Sequence, residues 1–322
     1  MKINKNFRSR ESETLSPNFK NLKMIPKVDL HCHSTTSVPI EFFKKIDPEL
    51  KLPPKRFSQF TDFNRYITNN INPLIKNLTI FKSLLEATIQ KFIEDGIVYA
   101  EMSFDLAIPE YINVSLDEFL DVINTERKAV SNRIDICPEI GVDREINPQK
   151  TLVLLKKALK RNIFGSIDLY GNERGPKIDE FKELYKVASK KGLKLKAHIG
   201  ELGNALSIKE AVEKLNLDAL QHGVKAIEDR IVLDYLINKG VVFNICPTSN
   251  LSLGIFKNIE DHPIRKLFDL GAIITIGSDD FSIFGMSVVD EFLNLYQKGI
   301  FNKNEIEKII NNGLNQIRST KF

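Results

Sequence analysis

The feature that most constrains this chain is an alternation that persists from residue 28 to residue 312. Short apolar runs are each followed by a longer stretch with apolar residues at helical spacing. Glycines close several of the longer stretches, at Gly96, Gly192, Gly240 and Gly271. A helix C-cap favours that residue because it takes a positive φ at little cost. The runs read as strands over 28–33, 97–104, 134–142, 163–170, 193–198, 219–222, 241–246 and 272–277. Helices are predicted over 81–95, 115–130, 148–160, 178–191, 207–215, 228–239, 263–270, 287–297 and 303–312. Ser115 followed by Glu118 makes a capping box at one helix start.

The runs read as apolar almost throughout, as expected of parallel strands covered on both faces. Eight of them separated by helices predict an α/β protein, a (β/α)8 TIM-type barrel, a fold of about 250 residues before insertions. A doubly wound open sheet is the rival. No Gly-x-Gly-x-x-Gly and no P-loop string follows any run, which counts against it. No repeat or linker divides the chain, so residues 24–322 read as one barrel domain, preceded by a polar, loosely ordered extension over 1–23. Residues 39–80, rich in Pro, Asn and Phe, form a helical excursion after the first strand, the kind of insertion that serves as a lid or binding element.

Composition excludes several classes. A net charge of +4 is too mild for a nucleic-acid polymer, and the basic pairs fall at predicted helix ends, where they complement the helix dipole. No apolar run approaches the roughly 20 residues of a membrane span. The three cysteines, Cys32, Cys137 and Cys246, are too far apart for a disulfide framework or a Cys-based zinc knuckle. A reducing, cytoplasmic location is expected.

Barrel enzymes place their chemistry at the C-terminal ends of the strands. His31 and His33 end the first run, His198 the fifth and His222 the sixth, and Ser278-Asp279-Asp280 follows the eighth. Four of the five histidines thus fall at strand ends, where each alone would more often be a hydrogen-bonding residue than a ligand. Together, histidines and an aspartate on one face suit a divalent metal, Zn2+ ahead of Fe2+ or Mn2+. The fifth, His262, precedes a proline at a helix start and reads as structural.

Six strings occur in one order along the chain: Pro26-Lys27-Val28-Asp29-Leu30-His31-Cys32-His33, Asp168-Leu169-Tyr170-Gly171-Asn172-Glu173, His198-Ile199-Gly200-Glu201, His222-Gly223, Cys246-Pro247-Thr248-Ser249-Asn250 and Ser278-Asp279-Asp280. On these strings the chain resembles the adenosine deaminase family of metal-dependent amidohydrolases, from residue 26 to about 290. The resemblance implies one Zn2+ per chain, held by His31, His33, His198 and Asp279. It implies Glu201 as proton donor to the purine N1, His222 as the residue orienting the attacking water, and Asp279 as ligand and proton acceptor. Gly171 would offer its N–H to the purine N3, and Asp280 would contact N7. The expected reaction is hydrolytic deamination of a 6-aminopurine nucleoside or nucleotide, with no membrane partner.

The chain departs from the family just after the His-x-His pair. The usual Leu-Asp-Gly-Ser string is replaced by Ser34-Thr35-Thr36-Ser37, so Thr35 stands where an aspartate reads the ribose 5′-hydroxyl. Loss of that carboxylate, with four hydroxyls in a row, predicts acceptance of a 5′-monophosphate or another 5′-modified nucleoside. Tyr170 and Asn172 also depart, standing where a small residue and an acid are usual. Free adenine deamination, amide or lactone hydrolysis by the same metal water, and a binding protein on a decayed barrel remain as alternatives. The last predicts loss of Glu201, His222 or Asp279, and all are present.

Overall fold

The computed structural model describes residues 19–317. Eight strands form one all-parallel sheet in the order β1 to β8: Lys27–His33, Ile97–Asp105, Asp135–Asp143, Ser166–Tyr170, Lys194–Ile199, Ala219–His222, Val242–Ile245 and Ile273–Ile276. The sheet closes where Cys32 bridges Asp279, with Asp279 N–H donating to His31 O at 2.9 Å. Helices follow the strands and bury their apolar faces on the outside of the sheet, as the alternation predicts. The Ser115–Glu118 capping box is present at the head of the helix Leu116–Ala129. The helix expected from residue 81 begins earlier, at Leu78, because the Asn77 side chain accepts from Ile80 N–H and starts it there. Gly96, at φ +72°, ends it and turns the chain into β2. The extension expected over 1–23 lies largely outside the described residues; Phe19–Met24 forms a 3-10 helix with Leu22 buried.

One expectation about the strands is corrected. They are not apolar almost throughout. Glu101 on β2, Glu139 on β3 and Lys196 on β5 are buried inside the barrel. Lys196 Nζ lies 2.9 Å from Glu101, pairs with Glu139 as well, and donates to Leu30 O at 2.9 Å. Gln221, Asn244 and Thr275 continue the polar layer through β6 to β8. The reason is geometric. The outward face of each strand packs on helices, but the inward faces of several strands converge, so charges far apart in sequence neutralise one another there.

The excursion after β1 contains the helices Ile40–Ile46 and Phe60–Tyr66, the second running into a π-helical turn at Ile67–Ile71. Phe63, Asn64, Ile67 and Thr68 from this segment wall a cavity of about 400 Å³ over the C-terminal ends of the strands.

Candidate active site

The barrel brings the strand-end residues together at the floor of that cavity. His31 Nε2 lies 3.0 Å from His198 Nε2 and 3.6 Å from Asp279 Oδ1. His33 Nε2 lies 3.3 Å from the same oxygen. His222 Nε2 approaches the other one, Oδ2, at 3.7 Å, and Glu201 Oε2 at 3.6 Å. Donor atoms of His31, His198, His222 and Asp279 all lie within 4.8 Å of one another, and those of His33, Asp279 and Asp280 form a second such group. By distance, then, His222 and not His33 groups with His31, His198 and Asp279, and His33 joins through Asp279. The two oxygens of Asp279 separate the residues: Oδ1 faces His31 and His33, and Oδ2 faces His222.

The outer partners show what the ring nitrogens offer. His31 Nδ1 lies 3.2 Å from Asn244 O, and a carbonyl only accepts, so the ring hydrogen sits on Nδ1. His198 Nδ1 lies 2.9 Å from the Asp168 carboxylate. Burial opposes ionisation of Asp168, but His198 and Lys196 outweigh it and hold its pKa low. Both Nε2 lone pairs then face each other across 3.0 Å, a contact that a shared cation makes favourable. Burial holds His31 well below its usual range, so its ring is neutral and free to coordinate. Burial also disfavours a charged His33, but Asp280, Asp279 and Asp168 outweigh that and raise it to about 10. The pocket of carboxylates thus favours positive charge where the histidines meet, and the donor set fits a divalent metal.

Backbone strain marks the same place. His222 and Asp279 adopt φ +67° and +56°, a left-handed conformation that is costly for residues with a Cβ and that clusters at functional sites. Gly277 allows the close approach there, because a Cβ on it would stand 2.6 Å from His31 Cβ. Asp29 locks β1 to the loop after β8, accepting from Ser278 Oγ at 2.5 Å and from His31 N–H at 3.2 Å.

Two carboxyls in the site are driven apart in pKa. Burial first, then the charges of Asp279 and Glu173, push Glu201 well above the usual carboxylate range. Asp279 is buried too, but His31, His33 and His222 outweigh burial and hold it well below. Asp280 is raised to about 6 by burial, against His33, and accepts from Thr36 Oγ1. Gly171, at φ +98°, and Thr35 both line the cavity. Of the hydroxyl run, Thr36 is taken up by Asp280, and Ser37 Oγ donates to His33 O at 2.7 Å. Tyr170 stands beside His33, with ring centroids 5.6 Å apart, and donates to Asp105 across the cavity wall.

Some residues given no role by sequence support this floor. Glu173 accepts four backbone N–H groups, from Gly200, Glu201, Leu202 and Gly203, at 2.7–3.2 Å. It therefore sets the loop that carries Glu201. Arg144, fully buried after β3, donates to His198 O at 2.6 Å. Glu173 lies within a string already singled out, but nothing in that string shows that its partners lie 27–30 residues downstream. Burial pushes the thiols of Cys32 and Cys246 well up, so neither is a nucleophile.

The chain is similar in sequence and fold to known proteins. A family model described as adenosine deaminase matches residues 26–318. A putative adenosine/adenine deaminase of Treponema pallidum (strain Nichols) is 29% identical over 289 residues, covering 88% of this chain and 96% of that protein. The crystal structure of an adenine deaminase from Arthrobacter aurescens shares the fold, with a TM-score of 0.82 at 23% identity, covering 92% of this chain and 94% of that one. An amidohydrolase structure from Burkhoderia ambifaria with bound Zn superposes with a TM-score of 0.82 at 17% identity, covering 97% and 91%. Among the described residues, no helix is long and apolar enough to cross a membrane. The chain belongs to the adenosine deaminase family of hydrolytic aminohydrolases.

Proposed function

We propose that the chain deaminates a 6-aminopurine nucleoside with a neutral 5′ end, giving the 6-oxo purine and ammonia. The observation that carries this reading is the pair Glu201 and Asp279, held in opposite protonation states on the two sides of His222. Such a split separates an acid from a base within one site. His31, His33, His198 and Asp279 would hold the metal, and zinc suits three imidazoles and a carboxylate. When bound, it supplies a water acidic enough to attack at neutral pH.

The chain's own residues do the rest. Glu201 presents its proton to N1, which neutralises the negative charge that builds on the ring as oxygen adds at C6. Asp279, ionised, accepts the proton released by the attacking water. His222 orients that water between Asp279 and Glu201. Gly171 offers its N–H to N3, and Asp280 shares a proton with N7. Asp279 passes that proton to the C6 amino group, which leaves as ammonia, and the remaining C6 hydroxyl proton returns to Glu201. Thr35 faces the sugar.

Against the expectation drawn from Ser34–Ser37, two of whose hydroxyls are engaged within the fold, the charge of the cavity favours a nucleoside over a mononucleotide. Its wall carries Asp105, Asp143 and Glu145, and among the described residues no lysine or arginine lines it. Burial raises Asp143 only to about 6, so it is largely ionised at neutral pH. At that wall a 5′-phosphate would meet like charge from Asp143 with no lysine or arginine among the described lining residues, which disfavours binding. A cavity of about 400 Å³ also leaves room beyond the base alone.

Ammonia release from zinc-loaded protein tests this against adenosine, deoxyadenosine, adenine and AMP. Adenosine is expected to exceed AMP by more than about a hundred-fold in kcat/KM. Faster turnover of AMP or adenine would overturn the nucleoside assignment, and no ammonia from any of them would overturn the reaction. Glu201→Gln should cost about 10²–10⁴-fold in kcat with the metal retained.

A further inference from the structure

His262 precedes the helix Ile264–Asp269, buried and with its ring edge-on to Phe256. Ile264 N–H donates to His262 Nδ1 at 3.1 Å. A backbone N–H can only donate, so Nδ1 carries a lone pair there, and the neutral ring carries its hydrogen on Nε2. Burial, and then the neighbouring His222, lower the His262 pKa to about 3, which keeps the ring neutral. Nε2 lies 3.1 Å from Asn250 Oδ1 and donates to it.

That contact fixes which way the Asn250 amide faces. Its oxygen is turned to His262, so its Nδ2 hydrogens face Glu201 Oε1 at 2.6 Å and His222 Nδ1 at 3.2 Å. His222 Nδ1 must therefore accept, and the His222 hydrogen sits on Nε2. This is the nitrogen that faces Glu201 Oε2 and Asp279 Oδ2. A ring nitrogen that carries hydrogen has no lone pair for a metal. His31 and His198 are the reverse: their Nδ1 atoms face a carbonyl and a carboxylate, and their Nε2 lone pairs face the site. Histidines at neighbouring strand ends are thus sorted into two kinds by what stands behind them.

We propose that His262 is a positioning residue: through Asn250 it holds His222 as the Nε2–H tautomer, keeps it out of the ligand set, and aims Glu201. Its effect on turnover rests on the roles of Glu201 and His222 proposed above; the tautomer does not. With Nε2–H, His222 donates a hydrogen bond toward an oxygen held beside Asp279. With the other tautomer, a lone pair would face Asp279 Oδ2, and the Asn250 amide would lose one of its two acceptors.

The first measurement is the tautomer in the unmutated, zinc-loaded full chain, labelled with ¹⁵N at histidine. Long-range ¹H–¹⁵N correlation should show hydrogen on Nε2 in His222 and on Nδ1 in His31 and His198. Hydrogen on Nδ1 of His222, or loss of its Nε2 hydrogen to zinc, would overturn the proposal whether or not any purine is turned over. The second compares His262→Leu, which removes the donor, with His262→Gln, whose amide nitrogen can replace Nε2. His262→Leu should lower kcat about 10–100-fold while KM and bound zinc stay within about two-fold, with His222 moving to a mixture of tautomers. His262→Gln should recover most of the loss. A folded, zinc-loaded His262→Leu protein with unchanged kcat and an unchanged His222 spectrum would refute the relay. If His262→Leu fails to fold, the spectrum of the unmutated protein and the His262→Gln rate still decide.

Discussion

Glu201, Asp29 and Glu291 are all buried carboxyls that hold a proton more tightly than a free side chain does, each chiefly through burial. In Glu201 the retained proton is the one we propose the reaction uses. In Glu291 it has a consequence for stability. Glu291 Oε1 accepts from Thr248 N–H at 2.7 Å, and burial raises its pKa from 4.5 to about 7. Below pH 4.5 the folded and unfolded chains both carry this proton. Between 4.5 and about 7 the unfolded chain has released it and the folded one has not, so this group's contribution to stability falls as pH rises. Above about 7 the loss is complete. Urea unfolding at pH 5 and pH 8 should show a smaller decline in Glu291→Gln than in the unmutated chain. Equal declines would mean that Glu291 ionises as freely folded as unfolded.

The loops and helices of the site are held in place by side chains from other elements. Glu173, just after β4, gathers four N–H groups of the loop after β5 onto one carboxylate. Gln in its place keeps the shape but turns one acceptor into a donor, so at least one of those contacts becomes donor against donor. Glu173→Gln is expected to move Glu201 and to lower kcat up to about a hundred-fold, the scale of a small misplacement of a reacting group. Bound zinc should not change, because no proposed ligand lies on the loop between Gly200 and Gly203. An unchanged kcat would show that the loop holds its shape without the carboxylate. Removing the charge of Glu173 also removes a nearby negative charge that raises the Glu201 pKa, so any alkaline limb of the activity profile that reports Glu201 should move to lower pH.

Across the whole barrel, the polar interior is the largest departure from what the strands alone suggest. Lys194 and Lys196 hold Glu101 ionised at about 2 despite burial, while burial leaves Glu139 raised to about 8. A lysine placed between two carboxylates can compensate one charge fully, and the second acid keeps its proton. Removing Lys196 would leave the buried Glu101 charge with only the more distant Lys194, at 3.8 Å. Lys196→Met is predicted to destabilise the fold by about 3–5 kcal/mol, read from urea unfolding at neutral pH. A change below about 1 kcal/mol would show that water or a rearranged Lys194 replaces it.

Much of the fold was legible because it depends on local rules. Gly96, Gly192, Gly240 and Gly271 mark helix ends by their positive φ, and each precedes a strand. Ser115 and Glu118 form the box that their spacing predicts. The residues meant for the site could be named because a parallel barrel puts every strand's C-terminal end on one rim, whatever the distance along the chain. What only the tertiary structure decided is which atoms face one another. His31 and His222 are the same residue type at equivalent strand ends, yet Asn244 O behind one and Asn250 Nδ2 behind the other put their hydrogens on opposite nitrogens. Lys196, Glu101 and Glu139 look out of place in apolar strands until closure of the sheet brings them within reach. The sequence determines which groups reach the rim, through local backbone preference and the strand–helix alternation. Barrel closure determines their protonation, tautomer and charge balance, because these depend on neighbours that lie tens to hundreds of residues away.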